Sequence, residues 1–191
     1  MKNKKIGFCI TGSFCTFERI LPELKKLSEE NQVFPVLSFN AAKMDTRFFK
    51  AADFFEKVWE ITSNKPITSI ESAEPFGPKN KMDIMIIAPC TGNTLAKLNH
   101  AITDTPVLMA CKAHLRNSLP LLIALSTNDG LSANAKNVGE LINKKNIYFV
   151  PFTQDDHIGK IHSLVANYSL LISAAEEALI GRQIQPVLTK E

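Results

Sequence analysis

KKIGFCITGSFCTFERIL, residues 4–21, moves from an apolar run through a short polar turn into a segment with helical periodicity. Ile6 to Thr11 reads as a buried strand, and Phe17, Ile20, Leu21, Leu24 and Leu27 fall on one face of a helix over residues 15–30. Strand, turn and helix in this order open the nucleotide-binding α/β sheets, yet the glycines differ. Gly7 and Gly12 have the spacing of a P-loop, but Ser13 and Phe14 stand where that loop carries Lys and Ser/Thr, so the cation for a triphosphate is missing. Thr11-Gly12-Ser13 also lacks the several glycines a pyrophosphate needs for close backbone approach. One phosphate can be held at a helix N-terminus by N–H groups and hydroxyls alone. The turn therefore suits a monophosphate.

Outward from this turn, apolar runs alternate with amphipathic stretches, which predicts an open parallel sheet with helices on both faces. Strands are expected over Val33–Ser38, Asp83–Ala88, Leu121–Leu125 and, last, Ile147–Val150, with a short further one over Lys57–Ile61. Helices are expected over residues 45–57, 91–102, 106–118, 132–144 and 160–181, the last ended by Gly181. Residues 62–81, with Pro66, Pro75, Gly77 and Pro78, read as a loop region with a short helix near Thr68–Ala73.

Ligands of such sheets bind beyond the carboxyl ends of the strands. The residues there are Thr11-Gly12-Ser13, Ser38-Phe39-Asn40, Pro89-Cys90-Thr91-Gly92-Asn93, Ser126-Thr127-Asn128-Asp129-Gly130 and Pro151-Phe152-Thr153, rich in hydroxyls and amides and poor in charge. Each also has a purely local reading, since Ser, Thr, Asn and Gly cap helices and form turns. Cys90 reads either as a nucleophile or as a small buried thiol.

With 191 residues and a 45% hydrophobic composition, the chain is expected to form a single domain, 1–191, with a substantial core. A formal charge of +3, evenly scattered, gives no basis for a nucleic-acid or membrane surface. The apolar run Ile6–Ile10 is too brief for a signal peptide, no run is long enough to span a bilayer, and the four cysteines lack C-x-x-C spacing. Reduced thiols in a cytoplasmic protein, and no metal site, are the expectation.

ITGS at residues 10–13 and APCTGNTLAKL at residues 88–98 resemble the flavin-dependent cysteine decarboxylase and flavin prenyltransferase superfamily, whose patterns are G-x-[ST]-G-[SA] and A-P-x-[ST]-[AG]-N-T-[LI]-[AG]-K. STNDGLSANAKNVGELINKKNIYFVPFTQDD, residues 126–156, is similar to the dipicolinate synthase B branch of that superfamily, found in spore-forming bacteria. The resemblance implies a Rossmann-like flavoprotein, a three-layer α/β/α sandwich binding FMN, with free phosphate as a possible replacement. It assigns Gly12, Ser13, Ser38, Asn40, Pro89, Thr91 and Asn93 to the cofactor, and Thr127 and Asn128 to a dicarboxylate substrate. Asn128 lies in a degraded form of the decarboxylases' P-[AS]-M-N motif and reads equally as a plain Asn-Asp-Gly turn.

The branch further implies oxidation of dihydrodipicolinate to dipicolinate during sporulation, shared with the A subunit of dipicolinate synthase, which carries NADP, and homo-oligomers that are trimers or multiples of them. No catalytic residue is assigned. The decarboxylases' histidine has no counterpart in residues 33–90, which speaks against cysteine decarboxylation, and His100, His114, His157 and His162 read as surface or capping residues. Lys43, Arg47, Lys97 and Arg116 are the candidate cations for a carboxylate. The alternatives are an independent FMN-dependent decarboxylase or prenyltransferase-like enzyme, and a non-catalytic stabilising subunit.

Overall fold

Alternation along the first strand sets the layers. In the computed structural model, which describes residues 1–77 and 81–189, strand β1 (Lys5–Ile10) sends Ile6, Phe8 and Ile10 to one face of the sheet and Cys9 to the other. The first face packs on α1 (Phe17–Glu30), α3 (Ala51–Thr62) and α8 (Leu171–Leu179), through side chains such as Ile20, Leu24, Phe54, Val58 and Leu171. The second meets α5 (Gly92–Asn99), α6 (Pro106–Leu115) and α7 (Ala135–Ile142), through Leu95, Val107, Ala110, Cys111 and Leu141. Helices thus cover both faces, the three layers expected from the pattern.

β2 (Gln32–Leu37), β3 (Ile84–Cys90), β4 (Leu121–Thr127) and β5 (Ile147–Phe149) join β1 in a parallel arrangement. β3 is buried throughout, as a central parallel strand must be. The sheet does not end there. β6 (Phe152–Thr153) and β7 (Leu164–Ala166) add an antiparallel pair, β7 lying against the end of β4 at Ser126 and Thr127. The strand order is β2-β1-β3-β4-β7-β6, with β5 also paired to β4, so the sheet is mostly rather than wholly parallel.

Three other expectations change. Residues 57–61 are helical: Phe54, Val58 and Thr62, four apart, are the buried stripe of α3, and Phe54 stacks on Phe17 at 4.1 Å. Residues 45–50 are not helical; a separate short helix, α2 (Phe39–Lys43), precedes them, and α3 follows, its Ala51 amide donating to the Asp45 carboxylate at 3.0 Å. The expected helix over 160–181 holds β7 and α8 instead, although Gly181, at φ +77°, does follow its end. The loop of residues 62–81 contains α4 (Ile70–Ala73) and a 3-10 turn, Glu74–Phe76; its residues 78–80 lie outside the described ones. Among the described residues no helix is long and apolar enough to cross a membrane.

His114, read as a surface or capping residue, is fully buried in the last turn of α6. Its Nε2 lies 2.9 Å from the Pro120 carbonyl and must donate to it, while Nδ1 is buried and has no partner among the described residues. Burial holds its pKa below the ordinary histidine value, and the bond to Pro120 opposes this only in part. The unfolded chain takes up a proton near pH ~6.5 while the folded one does not, so stability falls as pH drops through that value and levels off once the folded form protonates. Urea midpoints measured from pH 7 to pH 5.5 should decline, and His114→Gln should flatten the decline.

Candidate functional site

The ends of β1 and β3 are fastened by Thr11. Its amide and its hydroxyl both donate to the Pro89 carbonyl, at 3.2 and 2.7 Å, and its hydroxyl oxygen accepts from the Thr91 amide at 2.9 Å. Two helical starts consequently face one region. The 3-10 turn Phe14–Thr16 leads into α1, and Thr91 caps α5 by accepting from Thr94 N–H. The Ser13 amide is engaged by the Thr11 carbonyl at 2.9 Å, so the N–H groups that remain open to an anion are those of the first turns beyond it. Gly12 keeps this region open: a Cβ there would lie 3.3 Å from Cβ of Asn40.

Two clefts meet along the ridge of Gly12 and Thr91. The larger, about 400 Å³, is walled by Ser13, Thr16, Arg19, Ser126, Thr127 and Asn128 among others. The smaller, about 320 Å³, is walled by Thr11, Ser38, Asn40, Asn93, Thr94 and Lys97, with Asp104 and Thr105 at its rim. Gly12, Ser13, Thr91, Thr127 and Asn128 are therefore gathered in one cleft, and Gly12, Ser38, Asn40, Thr91 and Asn93 in the other. Pro89 lines neither; buried, it offers the carbonyl that Thr11 takes. Of the four candidate cations only Lys97 reaches a strand-end cleft, 2.6 Å from Asp104. Lys43 and Arg47 lie over the rings of Phe39 and Phe48, and Arg116 borders an apolar hollow elsewhere. Cys90 is wholly buried and its thiol pKa is raised by desolvation, the state of an inert core thiol; the exposed Cys15 is the cysteine on the cleft wall.

Behind the larger cleft runs a ladder of amides. Thr127 donates to Asp129, whose other oxygen accepts from Asn134 at 2.8 Å. Asn137 donates to Asn134 at 2.8 Å, Asn99 to Asn137 at 3.0 Å and to Glu140 at 2.6 Å, and Lys144 closes the series on Asn99 at 2.8 Å. The three asparagines are buried and each is satisfied, so the ladder fixes the loop after β4 against α5 and α7.

The flavoprotein family model matches residues 1–172. The chain belongs to the flavoprotein family. It is 46% identical over its full length to the dipicolinate synthase B subunit of Bacillus subtilis strain 168, covering 96% of that protein. The crystal structure of the dipicolinate synthase B subunit from Bacillus halodurans C superposes with a TM-score of 0.92 at 43% identity, over 100% of this chain and 98% of that one. A dodecameric FMN-dependent UbiX-like decarboxylase from Escherichia coli O157:H7 shares the fold, with a TM-score of 0.63 at 21% identity, over 77% of this chain and 79% of that one. The likeness to dipicolinate synthase B subunits read in residues 126–156 thus extends along the whole chain.

Of the residues bordering the larger cleft, Ser126 stands among the strand-end residues read from the sequence, whereas Thr16, Arg19, Asp155 and Lys160 do not, the last two 3.4 Å apart in the loop before β7. A signal existed for two of them. Ser13, Thr16 and Arg19 are three apart, the spacing that places polar residues above one another at a helix start.

Gly92 is the residue on which the ladder closes. A Cβ there would lie 2.5 Å from Thr127 Oγ1, 2.6 Å from Asn134 Nδ2 and 2.7 Å from Asp129 Oδ1. All three atoms are held by hydrogen bonds, so they cannot retreat without breaking the ladder. Thermal denaturation should show Gly92→Ala destabilised by about 1–3 kcal/mol. Gly139→Ala in α7, where an added Cβ meets nothing within 4 Å, should be neutral or stabilising.

Proposed function

We propose that this flavoprotein is the B subunit of a dipicolinate synthase, binding FMN and a pyridine-type dicarboxylate side by side and working with the A subunit of that enzyme, which carries NADP. The observation that carries the reading is the pair of polar clefts sharing the Gly12–Thr91 ridge, in a chain alike along its whole length to dipicolinate synthase B subunits.

The smaller cleft fits FMN by its donors. Ser38, Asn40, Asn93 and Thr94 supply hydroxyl and amide groups, Lys97, paired with the rim carboxylate of Asp104, supplies the one ammonium, and Gly12 and Thr91 form the shared wall. A single lysine and a single glycine turn match one phosphate. Bound there, the flavin would supply a redox-active ring system beside the larger cleft. Ser13 stands on the far side of the ridge, so its part is toward the larger cleft.

In that cleft Thr127 and Asn128 orient the dicarboxylate. The Thr127 proton is given to Asp129, so the Thr127 oxygen accepts only from a ligand donor such as a ring N–H, donation to a carboxylate falls to the Asn128 amide, and the ladder keeps Thr127 in place. Aromatisation of a dihydropyridine dicarboxylate removes one hydride and one proton. Nicotinamide on the A subunit would supply the acceptor for that hydride, and the part of this chain is to hold the ring and exclude water. The same reading assigns the protein to sporulation, to the cytoplasm, and to trimers or multiples of them. Exposed Phe39 on the wall of the smaller cleft, exposed Met44 and Phe48 in the segment after α2, and Ile102 at an apolar hollow with Leu98, Leu108 and Leu115, support assembly with copies of the chain.

Fluorescence titration should give tighter binding of FMN than of riboflavin, and Lys97→Ala should weaken FMN roughly tenfold while leaving riboflavin unchanged, as expected for a charge-assisted phosphate contact. Equal affinities for FMN and riboflavin in the unmutated protein would remove the phosphate assignment. Dipicolinate formation should require both subunits; formation by this chain alone would favour an independent enzyme.

A further inference from the structure

The wall of the larger cleft contains a cation and a reserve of hydroxyl protons that no family motif assigned. Arg19 borders the cleft, and among the described residues no carboxylate lies within ion-pair distance of it. Its guanidinium sits over the Tyr168 ring, 5.3 Å from the centroid, which holds an arginine in place without neutralising it. Tyr168 is 3% exposed, and its hydroxyl makes no hydrogen bond among the described residues. That hydroxyl lies beside Thr16 and Ser126, both on the cleft wall. Thr16 gives its own proton to the Ser13 carbonyl at 2.7 Å, and the Ser13 and Ser126 hydroxyls share one bond at 2.7 Å. Burial pushes the Tyr168 phenol up to about 12, so its proton stays in place at neutral pH.

A buried, unsatisfied phenol costs stability and needs a reason. We infer that the larger cleft is a carboxylate subsite in which Arg19 pairs with one carboxylate of the ligand, and Tyr168 donates to Ser126 so that the Ser126 hydroxyl can donate to that carboxylate. When the anion arrives, the Ser13 and Ser126 hydroxyls turn from each other toward it. The oxygen of Ser126 then lacks a donor, and the Tyr168 hydroxyl is the group placed to provide one. Arg19 is the contact residue; Tyr168 is a positioning residue that acts through Ser126 and by holding Arg19. Lys160 is less suited to the role, being paired with Asp155.

This inference rests on the reading of the larger cleft as the substrate site, and calorimetry separates the two. Pyridine-2,6-dicarboxylate is titrated into the full chain, with FMN titrated separately by fluorescence. The unmutated protein should bind the dicarboxylate more tightly than pyridine-2-carboxylate. Arg19→Gln should weaken the dicarboxylate roughly tenfold or more, bringing it close to the monocarboxylate, with FMN affinity unchanged. Tyr168→Phe keeps the ring under Arg19 and should weaken the dicarboxylate several-fold with no fall in melting temperature, an effect that a structural role alone would not produce. If Arg19→Gln binds the dicarboxylate as the unmutated protein does, or loses FMN to the same degree, the carboxylate subsite is overturned while the substrate-site reading stands. If the unmutated protein does not bind the dicarboxylate at all, both fall.

Discussion

Thr11 joins the carboxyl ends of β1 and β3 with three hydrogen bonds from one buried side chain and its own amide. A parallel sheet brings strand ends near one another but does not decide which way the following turns face. The bonds to Pro89 and from Thr91 make that decision. They hold the turn at Gly12 and the start of α5 at one spacing, so both clefts acquire Gly12 and Thr91 as a common wall. With the β1 and β3 ends unfastened the helix starts would still exist, each with free amides, but they would not converge on neighbouring ligands.

The second fixed point lies after β4, where an amide ladder replaces what an apolar contact does elsewhere in the core. Asn99, Asn137 and Asn134 lie between α5, α7 and the loop, each with its side chain satisfied, and they end on Asp129 and Thr127. A buried network of this kind is specific because every member has one orientation that satisfies its neighbours. It sets the cleft wall at Thr127 through Asn99, Asn134 and Asn137, which line neither cleft. Cationic groups come from outside both fixed points: Arg19 from the second turn after β1, Lys97 from α5 and Lys160 from the loop before β7.

Layering and the long parallel strands were legible because burial on both faces leaves continuous apolar runs, as in Ile84–Cys90, and helices leave stripes, as in α1. The turn at Gly12, the Thr91 cap and the loop at Asn128 were legible because phosphate-type turns and helix starts use few residue types. Short strands were not. β6 has two residues and β7 three, and Leu164-Val165-Ala166 fits a helical stripe as well as a strand; only pairing with β4 distinguishes them. Val58 and Trp59 mimicked a strand between charges, and contact with α1 settled the helix. The cations were misjudged for a related reason. Sequence shows which residues carry charge, whereas the end of α1 or α5 that meets a cleft depends on tertiary placement, so Arg19 was missed while Lys43, Arg47 and Arg116 were considered.

In the proposed complex two ligands occupy adjacent clefts across one ridge. The most direct test of that arrangement is titration of pyridine-2,6-dicarboxylate into protein already saturated with FMN, followed by the visible flavin spectrum and by the amount of FMN released on filtration. Adjacent clefts predict saturable binding that shifts the flavin bands while FMN stays bound. Release of FMN in step with dicarboxylate binding would show that the two compete for one site and would contradict the account.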